Sequence, residues 1–133
     1  MRRSILFLAC MFATQANAQT LSEHEKGELL GMLGYGALVL DAYYEICLAK
    51  GVRTDNHLNG IDKLAKKKWG TTYTAVSKQS EEESGRNYRQ EAHTQIKTVA
   101  KNKGGCETAE MKRWVGFLRS KHTKNLERFH SSK

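Results

Sequence analysis

The sequence predicts an all-α domain, a small four-helix bundle-like fold with a central apolar helix and one disulfide, and three observations carry that expectation. The 133 residues contain no proline, the residue that breaks helices and marks turns and edge strands. Apolar residues recur at steps of three and four along much of the chain, the spacing of a helix face. Ser, Thr or Asp stands ahead of the periodic stretches and glycine behind them, the chemistry that starts and stops helices.

Residues 1–18 follow different rules. Met1-Arg2-Arg3 makes a short basic start, 5–13 an apolar run, and Ala16-Asn17-Ala18 the small-x-small pattern at which a secretory signal is cut. The run is shorter than the roughly 20 apolar residues a membrane span needs. Cleavage before Gln19 would leave 19–133 as a single helical domain, periplasmic or secreted. Two other readings of the segment stay open: Phe7-Leu8-Ala9-Cys10 is similar to a lipobox, whose cut before Cys10 would tether the domain to a membrane, and Arg2-Arg3 suits a twin-arginine signal.

The first helix is expected from Ser22, which forms an S-x-x-E capping box with Glu25, to Lys50, with Gly51 just past its end. Two apolar seams run along it, Leu29, Leu33, Gly36, Leu40, Tyr43, Cys47 and Met32, Tyr35, Val39, Ala42, Ile46. A helix apolar on most sides is one surrounded by others. Gly27, Gly31, Gly34 and Gly36 interrupt it, either to let another helix approach or to break it near Gly34-Tyr35-Gly36. A transmembrane reading of 29–49 would use Gly27-x-x-x-Gly31 as an association motif, but Asp41 and Glu45 would then sit in lipid at high cost.

A second helix is expected from Thr54 or Asp55 as N-cap to Lys68, closed by Gly70, with Leu58, Ile61, Leu64 and Ala65 inward. A third runs from about Ala75 to Asn102 through Gly85, with Tyr88, Ala92, Ile96 and Val99 on one face. The last starts at Glu107 or Thr108 and reaches about Phe129, presenting Met111, Trp114, Val115, Leu118, His122 and Phe129 to the core.

Cysteine arithmetic depends on export. Loss of Cys10 with the signal leaves Cys47 and Cys106, and an even pair in an oxidising compartment predicts one disulfide, closing a loop of about 60 residues and worth about 4 kcal/mol by chain entropy. That bond would pin the end of the first helix to the start of the last, so the two pack antiparallel. The net charge of +8 would raise nucleic acid as a partner in the cytoplasm. Export removes nucleic acid and substitutes an acidic protein, anionic lipid or cell-wall polymer.

Local signatures of catalysis or metal binding are missing: there is no G-x-S-x-G, H-E-x-x-H, phosphate-binding glycine loop or paired-cysteine zinc spacing. The five histidines are scattered, so the reading contains no metal site, no cofactor and no catalytic residue. Among the carboxyls, Glu45 or Asp41, flanked by Tyr43, Tyr44 and Ile46, is the best placed to serve as a general acid in a small cell-wall hydrolase.

Gly34-Tyr35, Asp41-Ala42, Cys47-Leu48, Gly51-Val52 and Leu58 together resemble part of the periplasmic immunity proteins of type VI secretion systems, the Rap/Tai group. The resemblance implies a small exported helical protein with a disulfide that binds and neutralises a toxic effector. It spans about 25 residues, and it departs from the group at Met32, near a customary cysteine, and at Ala49, where a proline is usual. The expected function is therefore binding to another protein through the surface around the second and last helices, with Lys66, Lys67, Lys68, Trp69, Lys112 and Arg119 as candidate binding residues. A periplasmic stress chaperone loosened by acid, through its histidines and Glu81-Glu82-Glu83, and an envelope or secretion-assembly factor are the alternatives.

Overall fold

The computed structural model describes residues 20–49 and 51–133. The expected signal peptide and Cys10 lie outside the described residues, as does Lys50. Five α-helices follow one another: α1 (Glu23–Tyr43), continued by a π-helical turn (Tyr44–Leu48), then α2 (Asn56–Trp69), α3 (Tyr73–Ser84), α4 (Tyr88–Asn102) and α5 (Ala109–Ser131). The all-α expectation holds, and no strand occurs among the described residues.

α1 is the axis. Ser22 caps it by accepting the Glu25 amide at 3.1 Å, and from Ala37 to Tyr43 every residue is buried. Two turns buried on all sides require neighbours on all sides, and α2, α3, α4 and α5 each pack on α1. The core built there joins Leu29, Leu33, Ile96, Met111 and Val115, all almost fully buried.

Two of the four α1 glycines have a steric reason. A Cβ on Gly34 would stand 1.9 Å from Cγ of Tyr73, so the glycine lets the Tyr73 ring lie directly on the helix backbone. A Cβ on Gly36 would come within 3.1 Å of His122 Nδ1, which is how α5 crosses closely. The helix runs unbroken through both, so the alternative of a break at Gly34-Tyr35-Gly36 is set aside. Among the described residues no helix is long and apolar enough to cross a membrane.

The end of α1 departs from a straight helix. At Ala49 the amide reaches back five residues to the Tyr44 carbonyl at 2.7 Å, and the extra residue in this turn shifts the face presented by those that follow. Cys47 is buried there and bonded to Cys106 across 59 positions of sequence, with Cα atoms 5.4 Å apart. The chain then turns at Gly51, whose φ of +94° suits glycine. The expected antiparallel pairing of first and last helices follows, with Gly36 against His122 and Glu25 within 3.9 Å of Arg128.

Two expectations need correction. The stretch from 75 to 102 is two helices, because Gly85 adopts a left-handed φ of +71°, returns its amide to the Glu81 carbonyl, and Asn87 caps a new helix by accepting from the Gln90 amide at 2.9 Å. The second correction concerns α2. Asp55 occupies its N-cap position but makes no capping hydrogen bond; it faces Arg53 and Arg89 instead, and the cap comes from α1, as described below. Thr108 caps α5 through the Met111 amide, and Met111, Val115 and Phe129 are buried as expected.

The glycines give a test of opposite sign. Gly34→Ala should lower stability by about 2–3 kcal/mol, since Tyr73 must be displaced, whereas Gly31→Ala, whose Cβ would meet nothing within 4 Å, should raise it by about 1 kcal/mol. Urea unfolding of the two variants checks both; equal effects would contradict the crossing described here.

Candidate functional site

The site is assembled from two helices that are far apart in sequence. At its start, α2 is fixed by Asp41, a carboxylate on α1 that is only 1 % exposed. One of its oxygens accepts the His57 amide at 3.0 Å and the His57 ring Nδ1 at 2.9 Å, and the other accepts the Leu58 amide at 3.0 Å. An anionic acceptor thus satisfies two free N–H groups of the first turn and complements the positive end of the helix. Burial pushes the Asp41 carboxyl up, yet the hydrogen bonds from the His57 ring and the two amides outweigh it and hold it below its ordinary range.

His57 in turn meets the His122 ring of α5 edge-on, 6.5 Å between centroids. His122 Nδ1 is buried with no hydrogen-bond partner among the described residues. Burial first, and the neighbouring His57 second, lower the His122 pKa below its ordinary 6.5. At the other end of α2, Trp69 stacks edge-to-face on Phe129 of α5, 4.7 Å between centroids. The Lys68 ammonium donates to the Phe129 carbonyl and stands 4.8 Å from its ring centre. These contacts lay α2 beside the second half of α5 in the same chain direction.

Both helices are basic. Four lysines face one aspartate in the sequence of α2, and six Lys and Arg face two glutamates in α5. By contrast α1 holds four carboxylates against one lysine, and α3 three against one. Lys63, Lys66 and Lys67 of α2 and Arg119, Lys121 and Lys124 of α5 are all exposed. Phe117, 63 % exposed, adds an aromatic to the α5 surface.

Of the residues singled out from sequence, Lys66, Lys67, Lys68 and Trp69 lie together at the end of α2, where Lys68 and Trp69 meet Phe129 of α5, and Arg119 stands about 15 Å back along α5 from Phe129 at 1.5 Å per residue. Lys68 and Trp69 are largely used within the fold, closing α5 at Phe129, and the Arg119 guanidinium lies 5.7 Å from the Tyr43 ring centre. Lys112 stands apart: it is in the first turn of α5, about 25 Å along the axis from Phe129 at 1.5 Å per residue, and its nearest carboxylate is Glu107 at 3.9 Å. The candidate general acids are otherwise engaged. Asp41 holds three donors and stays ionised, and Glu45 pairs with His93 at 3.2 Å. Sequence reasoning missed the Asp41–His57 contact because no local spacing encodes it; an aspartate in the most apolar stretch of the chain was the available signal, since a buried charge needs partners.

No family model matches the chain, and no curated protein or solved structure matches it either.

A pH dependence follows from the two depressed groups. Each contributes stability that is complete above its unfolded value and lost as pH falls toward its folded one. Stability should therefore drop first below pH 6.5, as His122 is forced to charge in its buried setting, and again below pH 3.8, as Asp41 protonates. His122→Gln should remove the first step and leave the second, read by urea unfolding at pH 7.5, 5 and 3; an unchanged profile in that variant would refute the assignment. At neutral pH, Asp41→Ala should cost about 2–3 kcal/mol, since it strands the buried Leu58 amide and the part-buried amide and ring N–H of His57.

Proposed function

We propose that this is an exported, non-enzymatic helical protein that acts by binding an acidic partner protein through the α2 and α5 surface, in the manner of an immunity or inhibitor protein. The observation that supports this reading best is the distribution of charge: α2 and α5, which meet side by side, carry ten Lys and Arg against three carboxylates, whereas α1 and α3 carry seven carboxylates against two lysines. A face of one sign attracts a partner of the other, speeds encounter and rejects like-charged competitors. Arg119 is of a residue type that anchors protein interfaces.

Export is the second part of the proposal. Ala16-Asn17-Ala18 behind an apolar run supports it, and the Cys47–Cys106 bond suits an oxidising compartment. In that compartment a basic protein meets acidic proteins and anionic envelope polymers rather than nucleic acid.

The triple variant Lys63→Glu, Lys67→Glu, Lys124→Glu tests the binding face, with Lys97→Glu, Lys101→Glu on α4 as the control. Affinity capture from an envelope extract of the native host should recover an acidic protein with the wild type and the control. Recovery should fall at least tenfold with the triple variant and decline steeply with salt. Recovery that is independent of the triple substitution, or binding to anionic vesicles with no protein captured, would overturn the reading.

A further inference from the structure

On the side of α1 away from that face, a cavity of about 310 Å³ opens between α1, α3 and the start of α4. Its volume lies in the range of small-molecule sites, roughly 300–1,000 Å³. Gly27 and Gly31 line it from α1, one turn apart, and a Cβ on either would meet nothing within 4 Å. Unlike Gly34 and Gly36, these two glycines serve no crossing, and neither adopts a left-handed φ. Both weaken the helix relative to alanine. Their effect is to leave that wall of the cavity at the level of the backbone, where a flat group can approach closely.

Three phenols, Tyr35, Tyr73 and Tyr88, line it together with Val76, Ser77, Ser80 and Arg86. Tyr35 donates to Gln95 at 3.1 Å and Tyr88 shares a hydrogen bond with Ser80 at 2.7 Å. Tyr73 is different. The residue is 6 % exposed, but its hydroxyl is not among the buried polar atoms left without a partner, so it reaches the open side of the cavity. Burial, then the neighbouring Tyr88, raises its pKa, so the hydroxyl keeps its proton and is free to donate to an acceptor placed in the cavity. Arg86 also lines the cavity, but it is held by Glu91 through two hydrogen bonds of 2.9 and 2.8 Å. No lining residue therefore offers an unpaired charge.

The geometry points to a binding site for a small, uncharged aromatic ligand that carries a hydrogen-bond acceptor: its ring lies between the tyrosines against Gly27 and Gly31, and its acceptor receives the Tyr73 hydroxyl proton. Aromatic walls favour a ring through edge-to-face and offset contacts. An anionic ligand is disfavoured because Arg86 is already neutralised, and an aliphatic one forgoes the ring contacts. The site is independent of the basic face, since it uses α1, α3 and α4 rather than α2 and α5.

Acetophenone is a suitable probe, titrated into the disulfide-bonded protein while the ring resonances of Tyr35, Tyr73 and Tyr88 are followed by NMR. Saturable shifts of those signals are expected, with methyl cyclohexyl ketone and benzoate at least tenfold weaker. Tyr73→Phe should weaken acetophenone about tenfold, the effect of one hydrogen bond. Gly31→Leu should fill the cavity and abolish the shifts while the far-UV circular dichroism is retained and the Tm is not lowered. Absence of saturable shifts, equal binding of benzoate or of the cyclohexyl ketone, or no effect of Tyr73→Phe would each overturn the proposal.

Discussion

Everything in this fold depends on the burial of α1. A helix whose residues from Ala37 to Tyr43 are all inaccessible has no stable existence alone in water, so the other four helices are needed to cover it. Leu29 and Leu33, almost wholly buried, gain about 2–3 kcal/mol each from leaving water. A helix cap contributes about 1 kcal/mol, and an exposed ion pair such as Arg128–Glu25, at 3.9 Å, contributes less still. The apolar surface of α1 therefore decides the architecture, and caps and ion pairs adjust its edges.

The same constraint accounts for the polar features. A charge placed in the middle of such a helix must bring its own partners, and Asp41 does so by taking the first turn of α2 as its donor set. That contact anchors α2 next to α5 and creates the adjoining basic surfaces. Close approach is likewise set by α1: where a neighbour must touch the backbone there is a glycine with no room for a side chain, at Gly34 and Gly36. Where room remains, at Gly27 and Gly31, a cavity opens. The disulfide then ties the π-helical end of α1 to the loop that launches α5, fixing the antiparallel pair.

Much of this was legible in the sequence because it is local or depends on periodicity. Two apolar seams announced a central helix, Ser22 and Thr108 marked helix starts, Gly70 marked a stop, and an even pair of cysteines announced the bridge. What escaped was tertiary. Asp55 holds the N-cap position of α2 as expected, but the side chain that accepts the first-turn amides comes from 16 positions away. The polar run before Gly85 hid a helix end, since a continuous polar face and a turn look alike without apolar anchors. The π-helical turn leaves no mark on residue spacing. Of the candidate site, the basic residues could be named but not grouped: Lys68 meets Phe129 only because α2 lies along the second half of α5, while Arg119 and Lys112 sit nearer the start of that helix.

Native-state hydrogen exchange tests the primacy of α1 most directly. Amides from Leu33 to Tyr43 should exchange only through global unfolding, with protection equal to the stability measured in urea. The amides of α3 and the exposed turns of α5 should open at lower free energy. If α1 amides exchanged faster than those of α5, the account of a buried axis on which the other helices depend would be contradicted.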